Sequence, residues 1–176
     1  MIEESGSIAG FLPNELPASE DLDSRLGSTT SRLEEIVSTE ANKALIRDFF
    51  EQVWNQGNEE AIDRFIAENA NGNDPDFGMG REGFKNQWRK WRAAFPDLRF
   101  EIEEIIAEGD TVVARWMLTG TQSGSFLGIA PTGRKIRVAG MSMDHLHDGV
   151  LVSGFDGWDN LGLRQQLGAI PDDAAE

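Results

Sequence analysis

The sequence contains neither cysteine nor tyrosine, and it has only two histidines among its 176 residues. Without cysteine the chain can form no disulfide, no thiolate metal site and no cysteine nucleophile. The two histidines, His145 and His147, are too few for a histidine-rich metal site, so we expect no metal. Without tyrosine the chain has no phenol, so a neutral hydrogen-bond donor in a site would be an amide, a Trp, a His or a protonated carboxyl.

Positive charge is also scarce, because 16 Lys and Arg residues accompany 31 Asp and Glu, which gives a formal net charge of −15. A protein of this charge repels nucleic acid and anionic membranes, so we expect neither as a partner. The sequence has no apolar run long enough to span a membrane. The first residues lack the basic start and apolar block of a signal peptide, and we expect a cytoplasmic protein.

The first 30 residues are rich in Gly, Ser, Pro and acidic residues and show no sustained periodicity. This composition predicts an acidic, mobile tail over residues 1–30, followed by a single domain over residues 31–176. Ser31 and Glu34 have the spacing of a capping box, which predicts that a short helix begins there.

Three helices are predicted in the first half of the domain. Apolar residues at helical spacing favour a helix from Ser38 to a stop at Gly57. Asn58 is of a residue type that commonly caps helices, which predicts a second helix over residues 59–68. The Asn, Gly and Pro content of residues 69–80 predicts a loop. A third helix is predicted over residues 81–95, and it ends before Pro96.

In the second half of the domain, apolar and polar residues alternate as they do in β-strands. Four strands are predicted, with a hairpin turn at Asp148-Gly149 between the last two, and a short helix follows them. Helices first and an antiparallel meander afterwards predict an α+β fold, with the helices packed on one face of the sheet.

Three stretches of the sequence resemble a known family. They are FPDLRFEIEEIIAEGDTVVARW, GTQSGSFLGIAPTGRKI and WDNLGLRQQLG, within a resemblance that covers roughly residues 39–170. Together they are similar to the SnoaL-like polyketide cyclases, or ester cyclases, of the NTF2-like superfamily. The resemblance implies a cone in which N-terminal helices pack on a strongly curved, mixed but mostly antiparallel sheet around an apolar pocket. It also implies a homodimer, no cofactor, and an aspartate acting as general acid and base in an intramolecular aldol addition.

Three polar positions differ from the pattern of this family. Where relatives often have histidine, this sequence has Asn73, Gln122 and Ser142. Neutral amides can stabilise developing negative charge, so Asn73 and Gln122 are expected to hydrogen-bond a substrate oxygen.

Two aspartates near the C-terminus are the first catalytic candidates. Asp156 lies within the last predicted strand, where aspartate is disfavoured, and the resemblance matches it to the family's catalytic aspartate. An inward Asp156 would have its pKa raised by an apolar pocket, whereas an outward one would be solvated. Asp159 directly precedes the C-terminal helix, which is typical of an N-cap, although a catalytic role stays open.

His145 is the third catalytic candidate. Strand alternation places it on one face with Met141 and Met143, opposite Ser142 and Asp144. A histidine on a methionine face is more often a core or interface residue than a catalyst.

Aromatic side chains are numerous enough to line a pocket for a small apolar or aromatic ligand, although the same spacing is typical of a core. The ligand-binding candidates are Asn73, Phe84, Trp88, Trp91, Trp116, Gln122, Phe126, Met141, Met143 and Trp158.

Two main functions remain open from the sequence, and a third possibility is that the acidic tail makes the chain an accessory domain that docks to a larger enzyme. The first is a cofactor-independent cyclase or isomerase that uses an aspartate on an apolar, polyketide-like carbonyl substrate. The second is a small-molecule-binding protein of the same fold that no longer catalyses, which the three changed histidine positions favour.

Overall fold

The computed structural model of the protein describes residues 19–73 and 79–170. The chain divides into two compact units, residues 1–34 and residues 35–176. Helix α1 spans Ser19–Phe49, so it begins well before the capping box at Ser31. No proline interrupts residues 18–49, and acidic residues directly after Ser19 favour a helix N-terminus. Residues 1–18 of the expected tail lie outside the described residues.

The helical path continues beyond α1 as a π-helical segment, Phe50–Asn55. Gly57 follows with a φ of 68°, the left-handed conformation that glycine adopts readily, and the predicted helix stop at this residue is confirmed. Phe49, Phe50 and Trp54 are buried, so the junction between the two helical forms faces the core.

The second predicted helix is mostly wrong. Helix α2 spans only Ile62–Phe65, and the chain then enters strand β1, Ile66–Gly72. β1 pairs in parallel with a strand near the C-terminus, with Ile66 opposite Leu151. The helical spacing of Ile62, Phe65 and Ile66 predicted a longer helix, but pairing with a strand distant in sequence overrides this local preference.

The remaining elements agree with the sequence pattern. Helix α3 and the four strands β2 to β5 lie close to their predicted positions. Their bounds are α3 Gly80–Ala94, β2 Arg99–Glu108, β3 Thr111–Thr121, β4 Lys135–His147 and β5 Val150–Trp158. The strand order is β1-β5-β4-β3-β2, and only the β1–β5 pair is parallel.

The hairpin between β4 and β5 has the predicted turn. Asp148 and Gly149 both have positive φ, 48° and 75°, as the tight turn of a two-residue hairpin requires. With helices first, a five-stranded mixed sheet and a short C-terminal helix, the predicted α+β fold is confirmed. Of the helices in the described part of the chain, none has the length and apolar character needed to cross a bilayer.

Strand β4 alternates strictly between its two faces, and this alternation positions the site. Every second residue from Lys135 to His147 is exposed, and the residues between are buried. The buried set is Ile136, Val138, Gly140, Ser142, Asp144 and Leu146. Two polar side chains therefore point to the same side as the core.

Helix α4 spans Asn160–Gln166, and Asp159 is its N-cap. The Asp159 Oδ1 atom accepts a hydrogen bond from the Gly162 N–H at 2.7 Å. A Cβ at position 162 would collide with this carboxylate, so the missing side chain of Gly162 leaves room for the Asp159 carboxylate. The capping role predicted for Asp159 is confirmed.

Replacement of Asp159 by Ala is expected to lower the free energy of unfolding by about 1 kcal/mol, the usual loss of a cap. Asp159→Asn is the matched control, because asparagine caps equally well and should retain the stability. Thermal or urea unfolding of both variants measures the difference. Equal stability of the Ala variant and the original protein would contradict the capping role.

Candidate active site

A pocket lies between the helices and the inner face of the sheet. The end of α1 with its π-helical continuation, α3 and all five strands, β1 to β5, contribute to its walls. Its space, including the mouth open to solvent, is about 820 Å³. The lining residues are Phe49, Phe50, Trp54, Ile66, Gly72, Phe84, Gln87, Trp91, Phe100, Trp116, Leu118, Ser142, Asp144, Leu151, Gly154, Asp156 and Trp158. Aromatic rings dominate this set, and none of these described residues is basic.

Two carboxyl groups share the pocket. Ser142 of β4 pairs across the sheet with Asp156 of β5, and Asp144 pairs with Gly154. Asp144 and Asp156 are therefore diagonal neighbours on one face, a relation that places backbones about 7–8 Å apart. The Asp144 carboxyl lies over Gly154, where a Cβ would come within 3.1 Å of Oδ1. The missing side chain at Gly154 leaves room for this carboxyl.

Asp144 is only 6% exposed. Among the described residues, the Ser142 hydroxyl donates a hydrogen bond to its Oδ2 atom at 2.9 Å. The pKa of the Asp144 carboxyl is raised to about 8. Burial is the largest cause, the negative charge of Asp156 adds to it, and the Ser142 hydrogen bond acts in the opposite direction. Asp144 is therefore a carboxylic acid at neutral pH, able to donate a hydrogen bond or a proton.

Asp156 lines the same pocket but is exposed, so it lies where the pocket meets solvent. Its backbone is fixed by Asn73, which follows β1. Asn73 donates from Nδ2 to the Asp156 carbonyl and accepts from the Asp156 N–H, both at 2.8 Å. The two carboxyls thus differ in environment, because that of Asp144 is enclosed and that of Asp156 is exposed.

Asn73 and Gln122, the amides expected to bind a substrate oxygen, do not line the pocket. Asn73 uses both ends of its amide on the backbone of Asp156. Gln122 is fully buried outside the pocket wall, where it accepts from Thr132 Oγ1 at 2.6 Å and donates to the Ile129 carbonyl at 3.2 Å. Both amides are thus bound to other groups of the protein, Asn73 to the main chain of Asp156 and Gln122 to the Ile129 carbonyl and the Thr132 hydroxyl.

The structure places His145, Met141 and Met143 on the outer face of the sheet, away from the pocket. All three are exposed, and His145 Nδ1 lies 3.0 Å from the Thr111 hydroxyl. This placement is at odds with a catalytic His145 and with ligand binding by the two methionines. The alternation of residues along β4 correctly placed His145, Met141 and Met143 on the face opposite Ser142 and Asp144. It did not show which of the two faces was inward.

The aromatic candidates divide into two groups. Phe84, Trp91, Trp116 and Trp158 line the pocket. Trp88 and Phe126 do not, and they belong to the core instead: Trp88 Nε1 donates to the Val53 carbonyl at 2.9 Å, and Phe126 packs 4.3 Å from Trp91 between ring centroids. Asp159, the remaining catalytic candidate, is also outside the lining and caps α4.

Several pocket residues were not identified from the sequence. Asp144 is the most important, and its position between Met143 and His145 gave a signal, because a carboxyl in the middle of a β-branched and apolar strand is unusual. Gln87 of α3, also buried and in the lining, gave no such signal. Within residues 19–73 and 79–170, no three His, Asp or Glu side chains lie close enough together to hold a metal ion.

Comparisons with known proteins identify the family. The model of the SnoaL-like polyketide cyclase family matches residues 44–167, and the chain belongs to this family. No curated protein matches the chain.

Solved structures with the same fold include TsrD from Streptomyces laurentii, at 30% identity and a TM-score of 0.70 over 74% of this chain and 97% of that one. A candidate polyketide cyclase from Acidithiobacillus ferrooxidans is 32% identical, with a TM-score of 0.65 over 73% and 95% of the two chains. IdmH from Streptomyces antibioticus, another candidate polyketide cyclase, is 30% identical, with a TM-score of 0.65 over 72% and 98%. The fold is NTF2-like, and the family supports a function of the cyclase or isomerase type.

The raised pKa of Asp144 predicts how stability depends on pH. Below about pH 4 the carboxyl is protonated in both the folded and the unfolded chain. Between about pH 4 and pH 8 only the unfolded chain loses the proton, so this group makes the folded state progressively less stable as pH rises. Asp144→Asn removes this dependence and should be more stable than the original protein at pH 8, by at least about 1 kcal/mol.

Urea unfolding across this pH range measures the effect. Asp148→Asn, in the exposed turn of the same hairpin, is the matched control and should keep the pH dependence of the original protein. An Asp144→Asn variant with the same pH profile as the original would contradict the buried, protonated state of Asp144.

Proposed function

We propose that the protein is a cofactor-independent enzyme of cyclase or isomerase type that acts on an apolar, polyketide-like carbonyl compound. The observation that carries this proposal is the pair of carboxyls in one aromatic pocket, Asp144 enclosed beside Ser142 and Asp156 at the opening. Two carboxyls in different environments supply an acid and a base at the same pH. The aromatic lining suits a flat, uncharged substrate.

Asp156 is the general base in the proposed step. Its carboxylate takes a proton from the carbon next to the substrate carbonyl, and the C–H electron pair passes into an enolate. Asp144 donates a hydrogen bond to the enolate oxygen, which stabilises the developing charge. The enolate carbon then bonds to a second carbonyl carbon, and the oxygen of that carbonyl takes the proton from Asp156. The carboxylate is restored, so no other reactant is needed.

A protein that only binds a ligand is the second candidate. The observation in its favour is that Asn73 and Gln122 are hydrogen-bonded to the protein backbone and do not line the pocket. Ser142, where relatives often have histidine, interacts with Asp144 instead. The two candidate functions differ in whether side chains of the pocket transfer protons to and from the ligand.

Exchange of the methyl protons of 2-acetylnaphthalene in heavy water tests for proton transfer without knowledge of the natural substrate. The protein is expected to accelerate the exchange, and Asp156→Asn should remove most of the acceleration, on the order of a hundredfold or more. Asp148→Asn is the control and should exchange at the original rate. NMR measures the loss of the methyl signal. A protein that binds the ketone without accelerating exchange would favour the ligand-binding candidate.

We also propose that two copies of the chain associate through the outer face of the sheet. Ile106, Val113, Met143 and Phe155 are successive cross-strand partners on β2, β3, β4 and β5, and they form one apolar row. Ile106, Met143 and Phe155 are each at least 40% exposed. When one face of a sheet packs on helices, the other face is normally polar. The apolar row on the outer face therefore favours its burial against a second copy of the chain.

Met143→Glu introduces a charge in the middle of this row and is expected to produce a monomer, since a buried unpaired carboxylate is costly. Leu161→Glu, which changes an exposed apolar residue of α4, should leave the dimer intact. Analytical ultracentrifugation at micromolar concentration distinguishes the two states. A monomeric original protein would contradict the proposed association.

A further inference from the structure

Trp116 lies on the inner face of β3 and lines the pocket, with only 5% of its surface exposed. Its cross-strand partner on β4 is Gly140, where a Cβ would come within 2.6 Å of the indole atoms Cζ2 and Cζ3. The ring of Phe100 packs against it edge-on, with 4.9 Å between centroids and an interplanar angle of 82°. The absence of a side chain at Gly140 leaves room for the indole, and the ring of Phe100 packs against it.

The indole N–H of Trp116 is buried, and no acceptor among the described residues receives its hydrogen bond. Trp88 provides the contrast, because its Nε1 donates to the Val53 carbonyl at 2.9 Å. Buried donors nearly always have a partner in folded proteins, so an unpaired donor in a rigid side chain requires an explanation. Its location in the pocket wall supplies one, since a ligand in the pocket brings an acceptor.

We propose that the Trp116 Nε1–H donates a hydrogen bond to an oxygen of the ligand and thereby selects aromatic compounds that carry a carbonyl or a similar acceptor. This rests on the proposed function only in taking the pocket as the ligand site. An indole N–H has no acceptor capacity, so it discriminates between an oxygen and an apolar group at the same place. The sequence has no tyrosine, and this N–H supplies a neutral donor in its absence.

Two probes of nearly identical shape separate the hydrogen bond from the contact area. 2-Acetylnaphthalene has a carbonyl oxygen, and 2-isopropenylnaphthalene has a CH₂ group in its place. Affinities for both are measured by calorimetry with the original protein, with Trp116→Phe, and with a protein that carries 3-benzothienylalanine at position 116. This last residue keeps the bicyclic shape of tryptophan and lacks the N–H.

The original protein is expected to prefer the ketone over the alkene, and both changes at position 116 should reduce this preference by about fivefold or more, the usual effect of losing one neutral hydrogen bond. Trp88→Phe is the control. It removes an N–H that is already bonded within the core, so it should lower stability and leave the preference unchanged.

An unchanged preference in both position-116 proteins overturns the proposal, and so does a failure of the original protein to bind either probe. If the substituted proteins do not fold, the Nε1–H resonance of Trp116 in the original protein gives the answer. The ketone should move it downfield and the alkene should not, and equal shifts overturn the proposal. Because binding requires no turnover, a retained preference without methyl-proton exchange contradicts the proposed enzyme and leaves the hydrogen bond in place.

Discussion

The burial of one carboxyl, that of Asp144, is the constraint on which the site depends. An ionised carboxylate loses its hydration when it is enclosed among aromatic rings, and here no basic residue of the described lining compensates. Its pKa is raised to about 8, chiefly by this burial and in part by the nearby charge of Asp156. The result is a neutral acid beside a second carboxyl in one pocket. Such a pair can donate and accept protons at the same pH without a metal or tyrosine.

The backbone around this pair is held by side-chain amides. Asn73 binds the main chain of Asp156, and Asn55 binds the main chain of Phe100 in the same manner, at 3.0 and 2.7 Å. Each amide satisfies one backbone donor and one acceptor, so the strands that carry Asp156 and Phe100 are fixed relative to the helices and β1. These asparagines therefore shape the site through the position of its backbone.

Much of the fold was predictable, because its elements have local causes. The Asp148-Gly149 turn, the stop at Gly57 and the cap at Asp159 each follow from backbone preferences of one or two residues. β1 was missed because its strand character depends on pairing with β5, more than eighty residues away along the chain. Local periodicity carries no information about such a partner.

The site was less predictable for a related reason. Period-two alternation divided β4 into two faces, and the apolar Met141 and Met143 made the wrong face the natural choice for the interior. The inward face instead carries Ser142 and Asp144, a departure from the rule that polar residues are exposed, and such departures concentrate at functional sites. Asn73 and Gln122 were assigned to substrate because the sequence does not show which backbone groups they approach.

The protonation state of Asp144 can be observed directly. A carbon-13 NMR titration of the aspartate carboxyls, with the Asp144 signal assigned by its absence in Asp144→Asn, measures the pKa in the folded protein. We predict that this signal keeps the chemical shift of a carboxylic acid through neutral pH and changes only near pH 8. A signal that titrates near pH 4, as an ordinary aspartate does, would contradict the central claim that the pocket holds a neutral acid.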